Sequence, residues 1–251
     1  MGFLDNPVNE SDVPSESHPP ERPDIGIIML DTRFPRLPGD VGNPQTFPFP
    51  VSYEIVKGAS PQRVVKAADP SLLGPFIDAA RALEARGARA IATSCGFLAI
   101  FQRQLADAVG VPVYSSALLQ IGMARAVMRS DQAVGIITAD RGALTAAHFE
   151  GVGIADTPAA IIGMETAAEF SSVFMGGKRS LDSGKCRREM VNAATQLLAA
   201  HPEIGSIILE CTNMPPYSAA VQNAVGLPVF DVVTLIHLAY RTAMQCTYPL
   251  N

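Results

Sequence analysis

Leu209-Glu210-Cys211-Thr212-Asn213-Met214-Pro215-Pro216-Tyr217 is the stretch whose reading decides the fold. It has an earlier echo in Thr93-Ser94-Cys95-Gly96-Phe97. Each cysteine closes a short apolar run, Ala90 to Thr93 in one copy and Ser206 to Leu209 in the other, and each opens an amphipathic segment. Fourteen residues later both copies carry a Val-Gly pair, Val109-Gly110 and Val225-Gly226. A second short strand follows each pair, Val111-Pro112-Val113-Tyr114 and Leu227-Pro228-Val229-Phe230. The copies align without a gap at an offset of 116, the separation of Cys95 and Cys211. The register persists through Leu119 and Leu235, Arg125 and Arg241, and Met128 and Met244. One βαβα unit therefore occurs twice, with a cysteine at the same structural point in each copy.

Working outward, Ile25-Gly26-Ile27-Ile28-Met29-Leu30 reads as a strand apolar on both faces, as buried parallel strands are. Ala133 to Thr138 repeats it at an offset of 109, the separation of Gly26 and Gly135. Further strands are predicted at 51–56 and 159–163. Helices are predicted over 69–86, 97–108, 117–129, 141–149, 165–174 and 185–200, the last stopped by His201-Pro202. The fold class is α/β, with two pseudo-symmetric lobes, each a small parallel, flavodoxin-like sheet flanked by helices. The lobes span residues 24–130 and 131–231, with a C-terminal helix, 232–247, packing back on the first lobe. The active site falls between them. Residues 1–23, rich in Pro, Ser, Glu and Asp, read as a disordered tail.

Between the first two strands runs a loop from Phe34 to Pro50 with five prolines and two glycines, a composition against helix and strand. It leaves the carboxyl end of the first strand, where open α/β sheets bind ligands, and is expected to act as a lid or binding loop. Arg33, just before it, and Arg36, within it, can clamp a carboxylate, and Asn43 and Tyr53 are further candidates.

The totals narrow the partners. A hydrophobic content of 48% with 17% charge suits a chain with a real core. A net charge of −5 argues against nucleic acid and anionic membranes. No apolar run approaches the roughly 20 residues of a spanning helix. The N-terminus lacks the basic and apolar regions of a signal peptide. Four cysteines do not make a disulfide framework in a chain this long, and free thiols in a reducing cytoplasm are expected. No CxxC pair and no histidine beside either repeated cysteine argue against zinc, and no dinucleotide fingerprint follows Gly26. Cys186 and Cys246 read as small buried hydrophobes, and His148, His201 and His237 as capping or packing residues.

A thiol at a strand-to-helix junction sits beside unpaired backbone N–H groups, which favour its thiolate and can hold a substrate carboxylate. Facing lobes bring Cys95 and Cys211 to one small molecule from opposite sides. One thiolate can then remove a proton while the opposite thiol delivers another.

The doubled unit, with Thr93-Ser94-Cys95-Gly96 in one half and Glu210-Cys211-Thr212-Asn213 in the other, resembles the cofactor-independent aspartate/glutamate racemase superfamily. That group includes glutamate, aspartate and hydantoin racemases, maleate isomerase and arylmalonate decarboxylase. The resemblance runs from about residue 24 onward. It implies that Cys95 and Cys211 are the paired acid and base, that Asp31 and Thr32 match the Asp and hydroxyl residue after the first strand, and that Thr212 binds the substrate carboxylate. Ser94, Gly96, Phe97 and Asn213 complete the expected substrate site. Gly96-Phe97 and Asn213 depart from the glutamate racemases, which have Asn-Thr and His there, so contacts suited to an amino-acid substrate are missing.

The expected activity is a racemase or epimerase acting by 1,1-proton transfer on a small carboxylate, amino acid or hydantoin, with neither metal nor organic cofactor. A maleate-type isomerase or an arylmalonate-type decarboxylase is the alternative among enzymes, and a small-carboxylate binding protein the alternative outside them. A homo-oligomer is compatible with the sequence. Glu210, beside the second cysteine, either tunes it or faces solvent.

Overall fold

A computed structural model describes residues 25–155, 157–245 and 247. The expected tail of residues 1–23 and Cys246 lie outside the described residues.

The elements run in chain order as β1 (Ile25–Leu30), β2 (Val51–Val56), α1 (Leu73–Ala85), β3 (Ala90–Thr93), α2 (Gln102–Asp107), β4 (Val113–Tyr114) and α3 (Ile121–Ala126) in the first half. The second half holds β5 (Ala133–Thr138), α4 (Ala146–Gly151), β6 (Ala159–Gly163), α5 (Ala168–Phe170), α6 (Ser183–Ala200), β7 (Ile204–Leu209), α7 (Ser218–Val225), β8 (Val229–Phe230) and α8 (Val232–Ala243). They form two four-stranded parallel sheets, β2-β1-β3-β4 and β6-β5-β7-β8, the same order twice. β1 and β7 are buried along their whole length, as strands covered on both faces must be.

The repeat exchanges its last helices. α8 places Val232, Ile236 and Ala239 against Ile25, Ile27 and Ala92 of the first sheet. Its counterpart α3 packs on β5 of the second sheet. Each lobe is therefore finished by the other's chain. Asp231 starts α8 with a reciprocal cap, its carboxylate accepting from Thr234 N at 2.8 Å while the Thr234 hydroxyl takes the Asp231 N–H.

Helix starts differ most from expectation. The segment after Cys95 is a tight 3-10 turn over Gly96–Phe101 before α2 begins, and another covers Ala117–Gln120 before α3. α4 starts at Ala146 rather than 141, because Thr145 and His148 form its cap and the Asp140 carboxylate holds the preceding turn through Ala143 N at 2.9 Å. The predicted helix over 165–174 is a single turn, α5, running into a wide turn over Ser171–Met175. A similar wide turn over Gln62–Lys66 was not foreseen.

The 34–50 loop is packed down, and it contains one 3-10 turn, Pro44–Thr46. Phe47 and Phe49 lie in the core beneath α8, with Phe49 stacked on Tyr240 at a centroid distance of 3.9 Å. Gly39 adopts φ +97°, and a Cβ there would come within 3.0 Å of Pro216 Cα. Glycine lets the loop touch the second cysteine segment, and this contact sets where the near half of the loop lies.

Candidate active site

β3 and β7 end at equivalent points of the two sheets, and the residues following them face one another. Ser94 N pairs with Ile28 O at 2.8 Å, and its counterpart Glu210 N pairs with Ile137 O at 2.9 Å. Cys95 and Cys211 come next. Both line one pocket. Cys95 is buried and Cys211 half-buried. The fold thus brings both cysteines to one pocket.

Pairs of equivalent residues then cross between lobes. Thr212 donates its hydroxyl proton to Ser94 O at 2.6 Å. The related pair is Glu210 and Gly96, where a Cβ on Gly96 would overlap the Glu210 carboxylate and carbonyl. Position 96 is glycine because the longer side chain of Glu210 occupies that space. Ser94, the counterpart of Glu210, spends its short side chain accepting Leu30 N at 2.9 Å.

The 34–50 loop supplies the charged end. Arg36 lines the pocket with Thr32, donating to Thr32 Oγ1 at 2.8 Å and to Asp40 Oδ1 at 2.6 Å. Its guanidinium lies 4.7 Å from the centroid of the Phe34 ring. Asp40, almost fully buried, also accepts from Asn213 Nδ2 at 2.7 Å, and Asn213 Oδ1 accepts from the Cys211 thiol at 3.6 Å. A continuous chain of hydrogen bonds thus links guanidinium to thiol. Aromatic rings form the remaining wall: Phe34 meets Phe174 edge-on at 5.1 Å, and Phe97 backs onto the His148 ring at 5.2 Å.

Of the sequence-predicted residues, Cys95, Cys211, Thr32, Ser94, Gly96, Phe97, Thr212 and Asn213 all line the pocket. Asp31 does not. It is exposed, with its carboxylate accepting Gly58 N at 3.1 Å, because the chain turns outward directly after β1. The Thr212 side chain is also committed differently from expectation. Its proton goes to Ser94 O, so that hydroxyl has none to offer a substrate carboxylate. Arg36 is the pocket's guanidinium, whereas Arg33 lies in a neighbouring surface cleft. Asp40, Phe174 and Met175 were not singled out from the sequence, where no spacing marks them. Glu210 faces inward and is fully buried.

The electrostatics reverse one expectation. Burial, and then the Glu210 carboxylate, push both thiols well above the ordinary cysteine range. Cys95 is partly relieved by the backbone N–H groups of Phe97 and Leu98, Cys211 by that of Asn213 alone. The amides of the short turns after each cysteine are too few to outweigh desolvation. Burial also pushes Glu210 up to about 7, against the Thr138 hydroxyl and the Ala139 N–H, which stabilise its anion. Cys186 is buried with its thiol pushed up to about 11, as an inert core cysteine should be. Among the described residues no group of three His, Cys, Asp or Glu is placed to hold a metal ion.

No family model matches the chain. Solved structures with the same architecture include arylmalonate decarboxylase in a sulfate-associated form, at TM-score 0.60 and 15% identity over 89% of this chain and 94% of that one. Aspartate racemase from Picrophilus torridus superposes at TM-score 0.55, with 13% identity over 88% of this chain and 94% of that one. Glutamate racemase from Bacillus anthracis gives 0.52, with 15% identity over 87% of this chain and 81% of that one. At such identities the likeness is one of fold, and the chain has the fold of the aspartate/glutamate racemase superfamily. Closer in sequence is a dimethylsulfoniopropionate lyase of Durusdinium sp. clade D, 32% identical over 216 residues, covering 83% of this chain and 71% of the relative. Dimethylsulfoniopropionate lyase 6 of Emiliania huxleyi (strain CCMP1516) is 32% identical over 235 residues, 90% of this chain and 61% of the relative. The chain belongs to the dimethylsulfoniopropionate lyase family, and it spans about three-fifths of the length of that Emiliania huxleyi member.

Proposed function

We propose that the protein is a lyase that removes a proton from the carbon beside a carboxylate and expels a leaving group from the next carbon. The substrate named by its relatives, dimethylsulfoniopropionate, has both features. The observation that carries the reading is that two cysteines from equivalent strand ends line one pocket together with Arg36 and Thr32. Arg36, already oriented by Asp40, receives the substrate carboxylate and stabilises the negative charge that develops on it as the C–H bond breaks. Cys95, whose sulfur has the support of two backbone N–H groups, is the better placed thiolate and takes the α-proton.

The electron pair of the broken C–H bond forms the carbon–carbon double bond. The bond between the β-carbon and sulfur breaks, with its pair staying on sulfur. Dimethyl sulfide and acrylate leave, and the thiol returns its proton to solvent. The sulfonium assists twice, as a good leaving group and as a cation whose approach favours a thiolate that burial otherwise disfavours. Incubation with dimethylsulfoniopropionate should release dimethyl sulfide and acrylate in equal amounts, followed by headspace gas chromatography and proton NMR. Absence of both products contradicts the reading.

A second reading, racemisation or epimerisation by 1,1-proton transfer, is favoured by one observation: the pocket holds two thiols, and an elimination consumes only one base. Both readings share the first proton abstraction. Solvent deuterium entering the α-carbon of an unreacted enantiopure acid, with inversion and without dimethyl sulfide release, supports the second over the first.

A further inference from the structure

Glu210 is the one carboxylate fully buried in the pocket wall, and half of it is committed. Oε2 accepts the Thr138 hydroxyl at 2.8 Å, while Oε1 is buried without a hydrogen-bond partner among the described residues. None of the ion pairs found among those residues includes it. A buried carboxylate oxygen left without a partner is destabilising, and its charge opposes both thiolates. The other copy of the repeat avoids this problem with Ser94, whose hydroxyl oxygen is satisfied by Leu30 N. The asymmetry between Ser94 and Glu210 therefore calls for a ligand that rewards a negative charge here.

The surroundings define that ligand. Phe97 and Phe174 line the same pocket with Leu30, Val65 and Met175, an aromatic and apolar wall. Such walls disfavour a hydrated ammonium, which needs partners for its N–H bonds, and suit a cation sheathed in methyl groups. The pocket's guanidinium, Arg36, supplies a positive charge for the other end of the molecule.

We propose that Glu210, with the rings of Phe97 and Phe174, is the subsite for the peralkylated onium group of a zwitterionic carboxylate whose acid end is held by Arg36. The proposal deepens the lyase reading and rests on it for the choice of a sulfonium as the natural onium. It makes substrate charge the source of thiolate. The bound cation offsets Glu210, so Cys95 ionises when the substrate is present and stays protonated when it is not.

The test uses binding alone. 3-(Trimethylammonio)propionate carries an onium with a poor leaving group, and 4,4-dimethylpentanoate is its carbon isostere, with the same carboxylate and no cationic charge. Calorimetry on the full chain should show the ammonio compound binding about tenfold or more tightly than the isostere. Glu210→Gln should abolish that preference while still binding 4,4-dimethylpentanoate, which shows that the fold and the Arg36 end are intact. Phe174→Leu should narrow the preference as a second, independent variant. Equal binding of the two compounds by the unaltered protein, or a preference that survives Glu210→Gln, overturns the proposal. If dimethyl sulfide is released and the preference is absent, the onium subsite alone is wrong. If the preference is present and no dimethyl sulfide forms, the subsite stands and the lyase reading falls.

Discussion

Thr212 Oγ1 lies 2.6 Å from the carbonyl oxygen of Ser94, tying the residue after one cysteine to the residue before the other. This bond spans the two lobes and sits at the point that sets the separation of the sulfurs. Thr212→Val keeps the shape and removes the donor, leaving the buried Ser94 carbonyl unpaired. The expected outcome is a loss of about 1–3 kcal/mol in stability by denaturant titration. Turnover should fall further than that loss explains at a temperature where the variant is fully folded, because small displacements at a reacting centre are amplified.

Arg36 is held from two sides, by Asp40 and by Thr32, so its planar fork is presented in one orientation. Arg36→Lys keeps the charge beside buried Asp40 but cannot contact Asp40, Thr32 and a carboxylate in the same geometry. Steady-state kinetics should show KM for dimethylsulfoniopropionate raised by about tenfold or more, the size of one charge-assisted hydrogen bond. An unchanged KM and kcat would remove Arg36 from the site.

Glu210 carries a pH signature. Its folded-state pKa is raised from 4.5 to about 7, chiefly by burial. The folded protein therefore holds this proton more tightly than the unfolded chain does. The associated stability is fully present below pH 4.5 and is lost as pH rises through 7. Over that window the shift corresponds to about 3 kcal/mol. Glu210→Gln has no such titration, so urea denaturation should show the variant gaining on the unaltered protein by that order between pH 4.5 and pH 8. Parallel curves for the two would mean that Glu210 titrates normally.

Much of this arrangement was legible in the residues because the chain states it twice. The offset shared by Cys95 and Cys211 marks equivalent strand ends, and facing lobes bring those ends together. What escaped reading depends on three-dimensional detail that periodicity does not carry. Helix starts shifted because caps such as Thr145 with His148 override the apolar pattern. Asp31 was placed in the site by resemblance, but the chain turns it outward to Gly58. Asp40 lies in a proline-rich loop without periodicity, and only its contacts with Arg36 and Asn213 reveal it. The thiol pKa values move opposite to what a strand-to-helix junction alone favours, because burial and Glu210 outweigh the few backbone N–H groups there.

The central claim is that the two sulfurs work on one molecule in one pocket. The most direct measurement is the rate of dimethyl sulfide release from dimethylsulfoniopropionate by Cys95→Ser and by Cys211→Ser, alongside the unaltered protein. One sulfur acts as base and the other, left as a thiol, faces the charge that develops. Each variant should therefore lose about a hundredfold or more in kcat, with its unfolding midpoint little changed. Full turnover by either variant, in a folded protein, would contradict the claim.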